Sequence, residues 1–314
     1  MKKLLALFLL TSTVLLGACG KGSEQVAEES QDLQVITTFY PMYEFTKEVV
    51  GDTGKVSLLI PAGTEPHDYE PSAKDMAKIM DADVFVYNSL ELETWVPTMT
   101  DSIDTDKTVV IEAAKEIDLA ENEDHGETEA EAEHGTDAHT HELDPHVWTD
   151  PVMAIKEVET IRDQLSEKFP TKAATFKKNA AAYIEQLNAL DQEYTAALKD
   201  AVNRTFVTQH AAFGYLAKQY DLVQESIAGL SPDQEPTPSR LAELKEYVED
   251  HQVKVIYFEE NASSKVAETL ANETGVELAV LNPLESLTEK QISDGETYLT
   301  VMKENLQALQ KSIK

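Results

Sequence analysis

The chain has 314 residues, with 26 Lys and Arg against 58 Asp and Glu, a formal net charge of −32. That length suits two lobes of ordinary size, and an apolar fraction of 42% supplies real cores, which excludes wholesale disorder. The acidic excess excludes nucleic acid, whose phosphates need Lys and Arg to displace counterions, and argues against charge-driven binding to an anionic membrane. A single Cys allows no internal disulfide and no CxxC-type metal site.

The first segment addresses the compartment. Lys2 and Lys3 precede a mostly apolar run, Leu4 to Leu16. That run is shorter than the about 20 residues a helix needs to span a bilayer, so residues 1–18 read as a signal peptide. The only Cys, Cys19, falls at the expected cleavage point in Leu16-Gly17-Ala18-Cys19. The stretch resembles the lipobox of bacterial lipoproteins, which implies a lipidated Cys19 at the start of the mature chain and a stable anchor if two or more acyl chains are attached. Residues 20–32 are polar, lack aromatics and read as a flexible tether.

From residue 33 short apolar runs alternate with helical periodicity. Strands are expected at Val35–Tyr40, Val56–Ile60, Val84–Asn88 and Thr108–Glu112, with helices at Met42–Val50 and Ala73–Ala82. A second series follows: strands at Thr205–Thr208, Val223–Ile227, Val255–Phe258 and Leu278–Leu281, separated by helices at Ala211–Tyr220, Ser239–Asp250 and Ser263–Thr274. This alternation predicts an α/β fold of two lobes, each a parallel four-stranded sheet flanked by helices, over 33–170 and 204–314. Between them Pro151–Lys168 and Thr171–Asn203 read as helices split at Pro170. The second, 171–203, is rich in strong helix formers and carries an apolar face of Phe176, Ala180, Tyr183, Leu187, Leu190, Tyr194, Ala197 and Val202. It is expected to be one long linker helix bracing the lobes, with two ordinary helices and a break as the alternative.

Residues 121–142 hold nine acids and four His (His125, His134, His139 and His141) with no aromatic residue. Such a segment cannot bury surface, so it reads as a long acidic loop, either solvated or holding metal weakly.

Three other His share a context. His67 follows the run Val56–Ile60, His210 directly ends FVTQH, and His146 lies in DPHVWTDP before a helix start. Glu285 follows the run Leu278–Leu281. Ligands of open parallel sheets bind beyond the carboxyl ends of strands, where His67, His210 and Glu285 fall. Three imidazoles and a carboxylate make a set that zinc accepts. Each residue alone reads more readily as a surface side chain than as a ligand; the repeated strand-end placement is what makes the set a candidate site. His251, in a helix-to-strand turn, reads as structural or exposed. Catalytic motifs are absent: there is no HExxH, GxSxG, Walker or GxGxxG pattern, and the lone Cys lies in the signal region.

At these residues the chain resembles the metal-binding lipoproteins of bacterial ABC importers, the cluster A-I substrate-binding proteins, and within them the zinc-specific branch. The segments that carry the resemblance are VITTFYPMYEFTKEVVGD, LLIPAGTEPHDYEPSAKDMAKIMDADVFVYN, DPHVWTDP, FVTQHAAFGYLAKQYDL, SPDQEPTPSRLAEL, VIYFEENASSKVAETLANETGVEL and LNPLESLT. They run in order over nearly the whole chain after residue 33. The resemblance implies metal held in the cleft between two lobes by His67, His146, His210 and Glu285. Manganese-preferring members tend to carry Glu where this chain has His210, and the last ligand, often Asp in the family, is Glu here. The acidic His-rich insertion also resembles that of zinc-binding members. Some zinc-binding relatives carry a second metal-binding domain, and Lys314 comes too early for one.

The expectation is therefore a zinc-capture component, not an enzyme: a monomer anchored outside the cytoplasmic membrane that delivers Zn2+ to an ABC importer permease with its ATPase. Imidazole donors favour zinc over manganese. A manganese or iron binder of the same architecture and a zinc-dependent surface hydrolase are the alternatives; an adhesin role in addition has no residue arguing for it.

Overall fold

The structure, a computed structural model, describes residues 32–121, 142–234 and 236–313. The signal segment, Cys19, the tether before Asp32, and His125, His134, His139 and His141 lie outside the described residues. Asp32–Lys314 groups as one compact unit.

The first sheet contains β1 (Leu33–Thr37), β2 (Gly54–Leu58), β3 (Val84–Tyr87) and β4 (Val109–Glu112), in the order β2-β1-β3-β4. Every pairing is parallel, with Val35 opposite both Val56 and Val84. Its helices are α1 (Tyr40–Val50), α2 (Ala73–Asp81) and α3 (Val96–Thr100). The strand expected over Val35–Tyr40 stops at Thr37, because Pro41 sits in the first turn of α1 and Phe39 is its extended N-cap. Ser72 and Asp75 form a reciprocal capping box that starts α2.

The second sheet repeats the order with β5 (Thr205–Thr208), β6 (Val223–Ser226), β7 (Val255–Phe258) and β8 (Glu277–Val280), as β6-β5-β7-β8, again all parallel. The helix expected over Ala211–Tyr220 shortens to α6 (Gly214–Gln219), and the Ala211 N–H ahead of it donates to Gly229 O in the connection after β6. Helices α7 (Pro238–Asp250) and α8 (Lys265–Thr274) follow the expected order. The expectation omitted α3 and the last two helices, α9 (Glu289–Asp294) and α10 (Tyr298–Leu309).

Helix α4 (Pro151–Lys168) has the expected bounds, and α5 (Ala173–Leu198) is a single helix of 26 residues. At 1.5 Å per residue it is about 39 Å long. Its buried stripe is Phe176, Ala180, Tyr183, Leu187, Leu190, Tyr194 and Leu198. Val202, expected on that stripe, is 91% exposed because the helix ends before it. Near its start, Asn179 donates to Val49 O (3.2 Å) at the end of α1. Gly51, at φ +53°, admits this approach, since a Cβ there would lie 2.5 Å from Asn179 Nδ2. Near its end, Tyr194 Oη donates to Met302 O in α10 (2.6 Å) and Tyr220 Oη to Asp191 (3.1 Å). One apolar cluster runs through this brace, from Phe45 and Trp148 through Tyr183 and Leu187 to Phe206, Tyr257 and Tyr298. The lobes are thus fused through a shared core. Among the described residues no helix is long and apolar enough to cross a membrane.

Leu187 is fully buried on α5 in that shared core. Leu187→Ala should lower the unfolding free energy by about 2–5 kcal/mol, seen as a lower urea midpoint. A loss below about 1 kcal/mol would mean that α5 does not brace the lobes through this face.

Candidate metal centre

The carboxyl ends of the two sheets meet at one point. His67 lies in the connection from β2 to α2, where Thr64 donates to Pro61 O, Tyr69 donates to Pro66 O, and the His67 N–H donates to Glu65 Oε1 (3.0 Å). Gly63, at φ +72°, turns this connection and its N–H reaches the Ser286 hydroxyl of the other lobe (2.7 Å). His146 precedes a single 3-10 turn, Val147–Thr149. Its segment is held by Asn88 Nδ2 donating to Pro145 O (3.0 Å) and by Trp148 Nε1 donating across the seam to Pro283 O (2.7 Å). His210 follows β5 and its carbonyl accepts from Thr208 Oγ1 (2.7 Å) and Gln224 Nε2 (3.1 Å). Glu285 follows β8 by way of Leu284, which is buried at φ +63°.

These four side chains converge. One donor atom from each of His67, His146, His210 and Glu285 lies within 4.8 Å of all the others. The Nε2 atoms of His67, His146 and His210 approach Glu285 Oε1 at 3.3, 3.2 and 3.0 Å, and the His67 and His146 Nε2 atoms are 3.1 Å apart. A tetrahedral zinc with bonds of about 2.0–2.1 Å separates its donors by about 3.3 Å. The donor set could therefore hold such an ion with little movement. His146 and His210 are fully buried, Glu285 nearly so, and the His67 side chain is 10% exposed.

Two further carboxylates stand behind the imidazoles. Asp144 Oδ1 pairs with His146 Nδ1 at 2.7 Å and Glu259 Oε1 with His210 Nδ1 at 2.5 Å. Each fixes the tautomer that turns Nε2 toward the centre, the usual arrangement around a metal-bound imidazole. Sequence reasoning missed both. Glu259 sits directly after β7, where the strand-end rule that selected His210 would have found it; Asp144, two residues before His146 and buried, carried no such signal. His67 Nδ1 has no carboxylate partner among the described residues. His251 is exposed, stacked on Tyr247 at 4.1 Å, and takes no part. Two surface grooves, one along α5 and one beside α4, hold none of these residues.

The charges are strongly coupled. Burial opposes a protonated His210, but the charges of Glu259 and Glu285 and its hydrogen bonds to them hold its pKa well above the ordinary 6.5. Burial likewise opposes protonation of His146, and its bonds to Asp144 and Glu285 outweigh that. Burial dominates at His67 and lowers it, despite Glu285. Glu285 is pushed up by burial yet drawn well below the carboxylate range by His210 and by its bonds with the three imidazoles. Beside it, Glu65 is raised to about 8 by burial and by the charge of Glu285.

Two fused α/β lobes with a largely buried three-imidazole, one-carboxylate cluster at their seam are the architecture of a two-lobed substrate-binding protein. The chain belongs to the family described as zinc-uptake complex component A, periplasmic, whose model matches residues 35–312. The chain is 53% identical over 312 residues to the zinc-binding lipoprotein AdcA of Streptococcus pneumoniae serotype 4, covering 99% of this chain and 61% of that protein's length. It is 50% identical over 320 residues to the high-affinity zinc uptake system protein ZnuA of Bacillus subtilis, covering 99% of this chain and 98% of that one. Its fold matches the Zn(II)-bound ZnuA-like domain of S. pneumoniae AdcA with a TM-score of 0.76 and 53% identity, over 90% of this chain and 98% of that one.

The coupling sets a pH dependence for the ion-free protein. His210 and His146, raised in the folded state, contribute stability that is present below 6.5 and lost as pH rises through their folded values. The contribution of Glu285, lowered in the folded state, is present above 4.5 and lost as pH falls. His67, lowered, opposes the first trend in part. In chelator, the melting temperature should therefore be lower at about pH 8 than at about pH 6, by scanning calorimetry. An ion-free protein that gains stability over that interval would contradict this electrostatic reading.

Proposed function

We propose that this protein captures Zn2+ outside the cytoplasmic membrane through His67, His146, His210 and Glu285 and hands it to the permease of an ABC importer. The observation that carries the reading is the convergence of those four donor atoms within 4.8 Å, from both lobes, in a buried seam. Nitrogen-rich four-donor sites suit zinc, whereas manganese prefers oxygen-rich sites of higher coordination. Four protein donors also close the coordination sphere, whereas a hydrolytic zinc keeps a position for water, so the site suits carriage and not catalysis. The relatives support the same reading, being named for zinc binding and zinc uptake. Lipidation of Cys19 would hold the protein at the membrane as a monomer. The metal, bound by both lobes, would fix the surface presented to the permease and its ATPase.

Calorimetry on the protein lacking residues 1–18 should give tight binding of one Zn2+, retained against an equal concentration of Mn2+. Glu259→Gln should weaken zinc about 10–100-fold with the fold intact, as expected for an orienting partner, and His210→Ala should weaken it further. Preferential retention of manganese would transfer the reading to a manganese carrier, and full zinc affinity in His210→Ala would remove it.

The segment 121–142, with nine acids and four His, is proposed as a second, weaker zinc store. Deleting it should reduce the zinc count at saturating metal and leave the tight site unchanged; an unchanged count and unchanged uptake in limiting zinc would remove the store.

A further inference from the structure

We propose that Asn305, on the terminal helix α10, is the positioning residue for Glu285 and through it sets the ion preference of the centre. The inference rests on the zinc-binding reading above.

Glu285 is reached from β8 through an irregular segment, and a carboxylate on such a segment needs another element to fix it. Asn305 is 3% exposed. Its Oδ1 accepts the Asn282 N–H at 2.9 Å and its Nδ2 donates to the Asn282 carbonyl at 2.7 Å. One side-chain amide thus satisfies both backbone groups of Asn282, as a neighbouring strand would. Asn282 Oδ1 in turn accepts the Leu284 N–H at 2.7 Å, closing the turn that holds Leu284 at φ +63°. A leucine adopts this left-handed conformation only where its surroundings impose it. Pro283, between them, has its carbonyl bound by Trp148 Nε1. The three residues before Glu285 are therefore pinned one after another, and the first pin is Asn305.

The same helix also holds the opposite side of the centre. Tyr298 Oη donates to Trp148 O at 2.7 Å, two residues from His146. Helix α10 thereby contacts both the segment that carries His146 and the segment that carries Glu285, whose donor atoms stand 3.2 Å apart. That spacing suits a small four-coordinate ion. A Glu285 free to withdraw, or to turn both oxygens inward, would favour a larger ion of higher coordination.

The test uses the protein lacking residues 1–18 with Zn2+, Mn2+ and, as a spectroscopic probe, Co2+. Asn305→Ala should weaken zinc about 10–100-fold, by analogy with loss of other outer-shell partners. Manganese should weaken less, so that the zinc-to-manganese affinity ratio falls. The visible bands of the Co2+ form, intense for four-coordinate sites, should lose intensity. Asn305→Asp keeps the acceptor and removes the donor, so it should shift the ratio and the bands in the same direction; it decides the matter if Asn305→Ala does not fold. Tyr257→Phe is the control, because Tyr257 Oη donates to Ala308 O (2.7 Å) at the far end of the same helix. It should lower stability and leave the ratio and the Co2+ bands unchanged. An unchanged ratio and spectrum in the folded Asn305 variants, or the same changes in Tyr257→Phe, would overturn the proposal. Failure of the unmutated protein to bind Zn2+ or Co2+ at all would instead overturn the zinc-binding reading.

Discussion

Two imidazole nitrogens 3.1 Å apart, both facing one carboxylate oxygen, cannot all present lone pairs to the same space. Protons or a cation must lie among them. Without the ion, the facing carboxylates favour protonation of His210 and His146, whose pKa values are held above the ordinary 6.5. A divalent ion would replace them and satisfy every donor at once. The rest of the molecule is arranged around this requirement. Asp144 and Glu259 turn the imidazoles inward and supply negative charge behind them, and the carboxyl ends of two parallel sheets bring the donors from opposite lobes to one place.

The centre is asymmetric in its support. His146, His210 and Glu285 are sealed, and each is tied to buried polar partners or to the opposite lobe. His67 retains some exposure and lies on a short run of tight turns whose direct backbone tie to the other lobe is the Gly63–Ser286 bond. Since the lobes share one continuous core along α5, the connection that carries His67 is the part of the centre with the least packing to lose on moving.

A second group of buried acids lies behind the His146 segment. Glu93 accepts from the Thr38 hydroxyl (2.6 Å) and from the N–H groups of Asn88 and Ser89, and burial raises it to about 7 despite those bonds. Glu157, fully buried and without a hydrogen-bond partner among the described residues, is raised well above the ordinary range by burial and then by Glu93. Burial thus favours the protonated form of Glu157. The bond from Asn88 to Pro145 O connects this group to the segment holding His146.

Much of this was legible from the chain alone. Alternating apolar runs and helical periodicity located the eight strands of the described residues to within a few positions, because strand and helix patterns are local and repeat every two or 3.6 residues. His67, His210 and Glu285 stood out because each follows a strand of a parallel sheet, and His146 because it precedes a helix start. The family resemblance, carried by the same segments, pointed to the same four residues. What lay beyond local pattern needed the folded chain. Val202 continued the apolar periodicity of α5 but fell past its end. Glu259 meets His210 across 49 positions and Asn305 meets Asn282 across 23. The strand-end position of Glu259 marks it as a candidate but does not name its partner, and no pattern distinguishes Asn305 from the other amides of a chain this polar. The choice of which carboxylates orient the imidazoles, and which helix holds Glu285, belongs to tertiary structure, because only packing brings one acid within hydrogen-bonding distance and leaves the others in water.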